Sequence, residues 1–226
     1  MKLSEWINIY IKITDSLNID RNIDLYSSFI LSQYINNKDD IIKTYSNKNF
    51  YVIGNGINLK EYLPSISRGV IIVADSALSI FLENFNRNPD IIVSDLDGSI
   101  DLLKYQYDIG TKLIIHSHGD NIDKIIKYAD YFKNSAIGTT QNIPIKNIYN
   151  FFGFTDGDRS AYLANYLNAA SISLIGFDFN NISLKNYYDE NSILFKKKKL
   201  IWAKKLLTIL GNERGKNFKE GGIIEI

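Results

Sequence analysis

The segment PDIIVSDLDGSIDLLKYQYD, residues 89–108, contains the unit from which the fold can be predicted. It starts with a short run of mostly β-branched residues, as in a strand that is buried on both faces of a sheet. An acidic pair and a glycine follow, and then a helical stretch over 99–108. Carboxylates repel one another and resist burial. The pair Asp95 and Asp97 therefore either binds a cation or lies on a solvated turn.

Short apolar runs alternate with amphipathic stretches along most of the chain. Strands are predicted at 50–54, 70–74, 90–94, 112–116, near 136–138, 149–154 and 172–177. Helices are predicted at 76–86, 99–108, 120–133, 158–169 and 193–210. This alternation is typical of βα units and predicts an α/β fold with a mostly parallel sheet flanked by helices. The glycine-rich tail, 211–226, is expected to end in a short edge strand.

The first 48 residues have a helical pattern instead. Trp6, Ile9, Ile13 and Leu17 recur at three- and four-residue spacing, which predicts a first amphipathic helix. A second run, 23–45, has its apolar residues at Leu25, Phe29, Ile30, Tyr34, Ile41 and Ile42. We therefore predict a helical N-terminal segment over 1–48 and an α/β catalytic domain over 49–226.

The composition excludes several classes of protein. The 226 residues carry a net charge of +1 and include no cysteine. This argues against a nucleic-acid partner and excludes disulfides, thiol catalysis and thiolate metal sites. The N-terminus has charges throughout, unlike a signal peptide, and no apolar stretch is long enough to span a membrane. We expect a cytoplasmic protein without a membrane partner, and leave open whether it forms a homo-oligomer.

Acidic residues follow nearly every predicted strand. In sheets of this kind, ligands bind beyond the carboxyl ends of the strands. That edge is expected to hold one cation, Arg159, and the following acidic residues: Asp75, Asp95, Asp97, Asp120, Asp156 and Asp158. Oxygen-rich clusters without cysteine suit Mg²⁺, and Mg²⁺ with glycine loops and an arginine suits a polyphosphate. The pattern alone therefore predicts Mg²⁺-dependent nucleotide or phosphate chemistry.

Several of these motifs have a simpler structural explanation. Gly54 and Gly56 are as typical of a plain turn as of a phosphate loop. Asp75 favours an N-cap, and the sequence from Thr155 to Asp158 fits a capping box. His116 and His118 form a weak case for zinc, which usually needs three or four protein ligands. The lysine run at 196–199 is most often a solvated helix face, with a phosphate or acidic partner as the alternative.

Seven motifs occur in an order that resembles a known family. They are GNG, ADSAL, PDIIVSDLDG, HSHGDN, GTTQ, GFTDGDRSAYLA and LIGFDF, and the match runs from about Val52 to Leu210. The set resembles the archaeal 6-hydroxymethyl-7,8-dihydropterin pyrophosphokinases, the MptE-like family, and more distantly thiamin pyrophosphokinase. One departure is GNGINL, where the family usually has a proline after the second glycine.

The resemblance implies a Rossmann-like, thiamin pyrophosphokinase-like domain that uses Mg²⁺ and takes ATP and a reduced pterin alcohol as substrates. It implies transfer of diphosphate to the hydroxymethyl group of 6-hydroxymethyl-7,8-dihydropterin, which leaves AMP. The step belongs to methanopterin-type or folate-type cofactor synthesis.

The resemblance also suggests roles for individual residues. Metal ligands are expected among Asp75, Asp95, Asp97, Asp156 and Asp158, and the last four, with Arg159, are the catalytic candidates. Nucleotide contacts are expected from Gly54, Asn55, Gly56, Asp75, Ser76, His116, His118, Asp120, Asn121, Thr139, Thr140, Gln141 and Thr155. Asp178 and Asn121 are considered for the pterin. An extended strand would place Asp95 and Asp97 on one side. We expect only a bound cation to relieve their repulsion, so that Asn at either position leaves the metal-free protein at least as stable.

Three alternative functions remain open at this point. An Asp-x-Asp sequence after a strand also holds the diphosphate of a sugar nucleotide in metal-dependent glycosyltransferases. Thiamin pyrophosphokinase activity is the same chemistry on another alcohol, and a non-enzymatic nucleotide-binding module would bind without turnover. AMP formed from ATP would exclude the glycosyltransferase, and competition between the two alcohols would separate the kinases.

Overall fold

A central β-sheet organises the protein, which we describe from a computed structural model at residues 1–35, 44–181 and 189–226. Its strands are β1 (Asn49–Ile53), β2 (Val70–Ala74), β3 (Ile91–Ser94), β4 (Lys112–Ser117), β5 (Ile137–Thr140), β6 (Ser171–Ile175) and β7 (Ile224–Glu225). Their spatial order is β5-β4-β3-β2-β1-β6-β7, and β7 runs antiparallel to β6 while the other pairs are parallel. The predicted parallel sheet and the edge strand in the tail are confirmed.

Helices cover both faces of the sheet. They are α1 (Leu3–Leu17), α2 (Arg21–Tyr34), α3 (Leu59–Tyr62), α4 (Leu78–Asn84), α5 (Ile100–Asp108), α6 (Ile122–Tyr128), α7 (Asp156–Tyr166) and α8 (Glu190–Glu213). Short 3₁₀ turns occupy Leu63–Ser65, Asp75–Ala77, Gly119–Asn121 and Ala129–Phe132. The predicted helices are thus confirmed to within a few residues, and the one at 120–133 consists of α6 between two 3₁₀ turns.

Burial on both sides explains the continuous apolar runs of the strands. Val93 faces a core that α1, α7 and α8 cover, whereas Ile92 faces the core under α2, α4, α5 and α6. Because neighbouring residues of a strand point to opposite faces, a strand buried on both sides needs apolar residues at every position. The carboxyl ends of β1 to β5 then lie along one edge, which is where the candidate residues follow.

The predicted strand at 149–154 was wrong. Tyr149 makes a single bridge to Thr139, and the following backbone turns through positive φ angles at Phe152 (68°) and Gly153 (81°). A Cβ atom at Gly153 would lie 2.4 Å from the Cα of Arg159, so the turn packs directly on the start of α7. The segment is apolar because Phe151 and Phe154 are buried in the core, and it extends no sheet.

The face of α2 that packs on the protein also differs from the prediction. Leu25 and Phe29 are 38% and 46% exposed, whereas Asp24, Ser27 and Ser28 are buried. A helix normally buries its apolar side. Here the buried side meets polar loops at the carboxyl edge of β4 and β5, so its polar residues find hydrogen-bond partners there. Ile41 and Ile42 of the predicted run lie outside the described residues.

The two N-terminal helices pack on opposite faces of the sheet. Trp6, Tyr10 and Ile13 of α1 belong to one core, and Leu31 of α2 belongs to the other. The division of the chain at residue 48 stays a prediction. Among the described helices, none combines the length and the apolar character that crossing a membrane would require.

Candidate functional site

The ends of β2 and β3 bring the first candidate residues together. Ala74 pairs with Val93, so Asp75 and Ser94 follow side by side. The Ser94 hydroxyl donates to Oδ2 of Asp75 at 2.5 Å, and the backbone N–H of Gly98 donates to the same oxygen at 3.1 Å. A Cβ at Gly98 would lie 2.1 Å from Oδ1 of Asp75. Asp75 thus reaches across to the turn after β3, and Ala74 holds the N-cap position of the following 3₁₀ turn.

Burial raises the pKa of Asp75 to about 6. The hydrogen bonds from Ser94 and Gly98 lower the pKa, and the charges of Asp95 and Asp97 raise it. Oδ1 of Asp75 is buried and has no hydrogen-bond partner within the described residues. An orphaned carboxylate oxygen beside two further carboxylates is suited to receive a cation.

The raised pKa predicts a specific pH dependence of stability in chelator-treated protein. The folded state binds the Asp75 proton more tightly than the unfolded state does. This group's contribution to the free energy of unfolding therefore rises as the pH falls through about 6. Asp75→Asn removes the titrating group. We compare the change in melting temperature between about pH 7 and about pH 5. This change should be more favourable for wild type than for Asp75→Asn. Parallel melting curves at both pH values would contradict the assignment.

Asp95 and Asp97 lie on a turn and not on an extended strand, so that prediction was wrong. The strand ends at Ser94, and Leu96 has a φ of 64° with its side chain buried. The N–H of Asp97 donates to Oδ1 of Asp95 at 3.1 Å. Leu96 therefore anchors the turn in the core while the two acidic residues flank it.

Each of the two carboxylates has its own partner in the protein. Oδ2 of Asp95 lies 3.5 Å from Nε2 of His118, and Oδ1 of Asp97 lies 2.5 Å from Nζ of Lys124. Burial tends to raise the pKa of Asp95, but His118, the N–H of Asp97 and the charge of Lys199 together lower it below the usual value. Two different side chains, His118 and Lys124, thus lie against the two carboxylates.

The loop after β4 holds His118 in one orientation. The N–H of Asp120 donates to Nδ1 of His118 at 3.2 Å, so Nδ1 is an acceptor and Nε2 is directed toward Asp95. The amide of Asn121 donates to the carbonyl oxygens of Asp95 and His116 at 2.8 and 2.7 Å. Asn121 is fully buried and its amide is used in these bonds. It is therefore not free to make the ligand contact that the sequence predicted.

His116 and Arg159 lie inside the protein, beneath this edge. They are 2% and 1% exposed, respectively. Burial lowers the pKa of His116 well below its usual value, and the charge of Arg159 lowers it further, so the ring is neutral. Gln141 and the backbone of Thr139 face the ring, but neither reaches good hydrogen-bonding geometry with its nitrogens. Both side chains were predicted as ligand contacts, and neither is exposed to solvent.

Arg159 compensates buried negative charge. Its Nη2 donates to the carbonyl of Phe154 at 2.9 Å, while Nε and Nη1 lack a partner within the described residues. Burial lowers the pKa of the guanidinium, whereas the charges of Asp156, Asp158 and Asp95 raise it. A cation in such a position offsets the cost of burying carboxylates.

The two acidic residues of α7 differ in their surroundings. Asp158 accepts the N–H groups of Phe154 and Thr155 at 2.6 and 2.8 Å and the Thr155 hydroxyl, so it forms the predicted capping box. Both oxygens are used, which leaves Asp158 a poor metal ligand. Asp156 is partly exposed. Burial raises its pKa well above the usual value, and the charges of Asp95 and Asp75 raise it further.

The glycine loop after β1 is occupied by contacts to β6. The N–H groups of Gly54 and Gly56 donate to the carbonyls of Ile175 and Gly176 at 2.8 and 2.6 Å. A Cβ at Gly56 would lie 2.6 Å from the Gly176 oxygen. These glycines permit close approach of two backbones, so their amides are not available to a phosphate, and the Asn55 side chain between them is partly exposed.

The other predicted residues divide between the interior and the surface. Thr139, Thr140 and Gln141 are buried, and Gln141 donates to Asp24 at 2.6 Å. Ser76 and Asp120 are exposed. Asp178 accepts hydrogen bonds from Asn180 and Asn181 in a local turn. The structure therefore gathers Asp75, Asp95, Asp97, His118 and Asp156 around one edge, with the remainder supporting it or lying apart.

Three residues at the edge were not identified from the sequence. Lys124 pairs with Asp97, and Asp24 bonds the loop after β4. Lys199 acts on Asp95 and Asp156 through its positive charge, which favours the ionised form of both carboxyl groups. The lysine run was a visible signal for Lys199. Asp24 could have been found from the polar residues that recur at helical spacing, since Ser27 and Ser28 follow it by three and four positions.

The sequence was compared with known proteins. The sequence model of the family described as "6-hydroxymethylpterin diphosphokinase MptE-like" matches residues 28–183. A protein of Methanocaldococcus jannaschii named 6-hydroxymethyl-7,8-dihydropterin pyrophosphokinase is 34% identical, over 93% of this chain and 96% of its own. Proteins of the same name from Pyrococcus furiosus and Methanothermobacter thermautotrophicus are 36% and 35% identical. They cover 94% and 80% of this chain and 95% and 81% of their own.

Proposed function

Because the chain belongs to the MptE-like family, we propose that it is a 6-hydroxymethyl-7,8-dihydropterin pyrophosphokinase. The pterin hydroxyl oxygen attacks the β-phosphorus of ATP and releases its proton. The bond from that phosphorus to the α–β bridging oxygen breaks, so AMP leaves and the diphosphate stays on the pterin. The observation that carries the proposal is the similarity to proteins of this name over nearly the whole chain.

The donor set suits a magnesium–nucleotide complex better than a resident metal. Within the described residues, no group of three or more histidine or acidic side chains is arranged to hold a metal. Mg²⁺ is usually bound by one or two carboxylates together with phosphates and water. Asp75, with its orphaned Oδ1, and Asp95, whose charge acts on Asp75, would supply two such carboxylates. The metal would neutralise charge on the transferring phosphoryl groups.

The protein groups of this edge position the acidic cluster for such a complex. His118 and Asn121 orient the carboxylate and backbone of Asp95, and Ser94 and Gly98 orient Asp75. In phosphoryl transfer the protein acts mainly by positioning and by electrostatic stabilisation. A dedicated general base is therefore not required for the hydroxyl group.

Lys199 takes the phosphate-binding role that the sequence suggested for Arg159. Its Nζ lies 5.7 Å from the ring centroid of Phe154 and 5.8 Å from that of Phe195, beside the start of α7. Its neighbour Lys198 donates instead to the carbonyl of Ser16 in α1. A half-buried ammonium group whose charge reaches the acidic cluster is well placed to bind the phosphates of a nucleotide held there.

Nucleotide separation after incubation tests the proposal. The protein is incubated with ATP, Mg²⁺ and 6-hydroxymethyl-7,8-dihydropterin, and we expect AMP in proportion to pterin diphosphate. Excess chelator should abolish turnover, and added Mg²⁺ should restore it. Thiamin in place of the pterin and a sugar nucleotide in place of ATP test the alternative activities. No AMP with the pterin, or faster turnover of thiamin, would overturn the proposal.

Lys199→Ala should weaken ATP binding without unfolding the protein. Loss of one charge-assisted contact to phosphate predicts a rise in the Kd for ATP of roughly tenfold or more. The matched control is Lys197→Ala, which removes an exposed lysine of the same run. Calorimetric titration with Mg²⁺–ATP measures both variants. Equal Kd values for the two would show that Lys199 belongs to a solvated face, and Lys199→Arg should retain most of the affinity.

A further inference from the structure

Asp24 of α2 is a buried carboxylate that joins three parts of the protein. It is 1% exposed. Oδ2 accepts the Tyr10 hydroxyl at 2.7 Å and the Gln141 amide at 2.6 Å, and Oδ1 accepts the backbone N–H of Gly119 at 2.7 Å. Helix α1, the loop after β5 and the loop after β4 therefore meet at one side chain. A buried carboxylate with three donors is well compensated and holds each of them in place.

The contact with Gly119 needs a close approach of α2. A Cβ at Gly119 would lie 2.9 Å from Cγ2 of Ile23 and 3.4 Å from Oδ1 of Asp24. Glycine at this position thus lets the loop backbone reach the carboxylate. Ser27, one turn further along α2, donates to Oδ1 of Asn121 at 3.4 Å. The buried side of α2 is polar because it holds this loop.

The loop that Asp24 holds is the one that orients Asp95. Oδ1 of Asn121 accepts the N–H of His118 at 3.0 Å, and its amide donates to the Asp95 carbonyl at 2.8 Å. His118 faces the Asp95 carboxylate. A continuous series of hydrogen bonds therefore leads from α2, through residues 118–121, to the acidic turn after β3.

We propose that Asp24 is a positioning residue of the active site, which acts on the carboxylate of Asp95 through the loop 118–121. Asp24 precedes the part of the chain, 28–183, that the family model matches. The N-terminal helices thereby contribute to catalysis as well as to the core. The expected effect of Asp24 on turnover rests on the proposed function, whereas its expected effect on the geometry of His118 does not.

Histidine NMR spectroscopy tests the geometry without turnover, because the chain has only two histidines. Asp24→Asn keeps the shape of the side chain but presents an N–H₂ group to at least one of the present donors. We expect the ring resonances of His118 to shift. We also expect kcat to fall by roughly tenfold or more, the scale for groups that orient a ligand-binding side chain. The KM for the pterin should change less than kcat.

The matched control is Asp20→Ala on the same helix. Asp20 caps α2 by accepting the N–H of Asn22 at 2.8 Å, so its loss should lower the melting temperature modestly and leave His118 and kcat unchanged. If Asp24→Asn does not fold, Tyr10→Phe removes one of the three donors, and a smaller shift and a smaller loss of kcat are expected. Wild-type resonances and kcat in the folded variant would overturn the proposal. A shift of the resonances in a protein without turnover would instead count against the proposed function alone.

Discussion

Asp95→Asn is expected to lower kcat/KM by at least about a hundredfold, roughly 2.7 kcal/mol of transition-state stabilisation. Asp95 is the carboxylate on which the surrounding contacts converge. His118 faces its side chain, Asn121 binds its carbonyl, and the N–H of Asp97 donates to its Oδ1. Asn keeps the size and one acceptor oxygen but removes the charge. We therefore expect Asp95→Asn to change kcat/KM much more than the free energy of unfolding.

Asp95→Asn should lower the free energy of unfolding only slightly. Burial tends to raise the pKa of Asp95, but His118, the N–H of Asp97 and Lys199 together lower it in the folded protein. A lowered carboxyl pKa contributes stability at neutral pH, which is lost as the pH falls through the folded value. The expectation from the sequence, that neutralisation stabilises the metal-free protein, is therefore revised. Asp95 and Asp97 each have a partner other than a metal.

Steady-state kinetics and thermal melts of Asp95→Asn measure both effects. The control is Asp123→Asn, which neutralises an exposed carboxylate on α6 and should match wild type in both measurements. Mg²⁺–ATP should raise the melting temperature of wild type more than that of Asp95→Asn, because it binds the folded protein alone. If Asp95→Asn turned over at the wild-type rate, the assignment of this carboxylate to the active site would be wrong.

Arg159→Met is expected to lower the free energy of unfolding by about 3–5 kcal/mol, the range for removing one partner of a buried charged group. The guanidinium is buried at the base of α7, and its charge is opposed to those of Asp156, Asp158 and Asp95. Met fills most of the volume, so the loss comes mainly from carboxylates left without compensation. The sequence suggested that Arg159 binds a polyphosphate, and the structure shows that its side chain is buried.

Urea unfolding at neutral pH measures this loss, with Arg87→Ala as the control. Arg87 pairs with Asp90 at 2.7 Å on the surface, where its side chain is 40% exposed. Exposed pairs contribute about 1 kcal/mol or less. If Arg159→Met were as stable as wild type but had a raised KM for ATP, Arg159 would be assigned to phosphate binding. That result would contradict the buried-charge interpretation.

Much of the fold followed from local pattern. The runs FYVI, VIIVA and DIIVS predicted strands β1, β2 and β3 because a strand buried on both faces must be apolar throughout. The rule that parallel strands present their carboxyl ends at one edge then placed Asp75 and Asp95 together before any contact was known. The capping box of Thr155 and Asp158 was also visible, because capping depends on residues three apart.

Other features depended on contacts between distant parts of the chain. The segment 149–154 has the composition of a strand, but the positive φ angles of Phe152 and Gly153 and the packing against Arg159 prevent it from joining the sheet. Local propensity does not report whether a neighbouring strand is available for pairing. The turn at Leu96 likewise follows from the burial of its side chain.

The sequence by itself determined the order of strands and helices, the acidic edge and, through its motifs, the family. Only the tertiary structure decided which polar residues are exposed at that edge and which support it from inside. Gly54, His116 and Arg159 looked like ligand contacts, but the N–H of Gly54 donates to another strand and the other two side chains are buried, whereas Asp24 attracted no attention in the sequence. The physical reason is that burial and charge compensation are properties of the assembled chain. A carboxylate on α2 becomes part of the site only when a loop almost a hundred residues away donates its N–H to it.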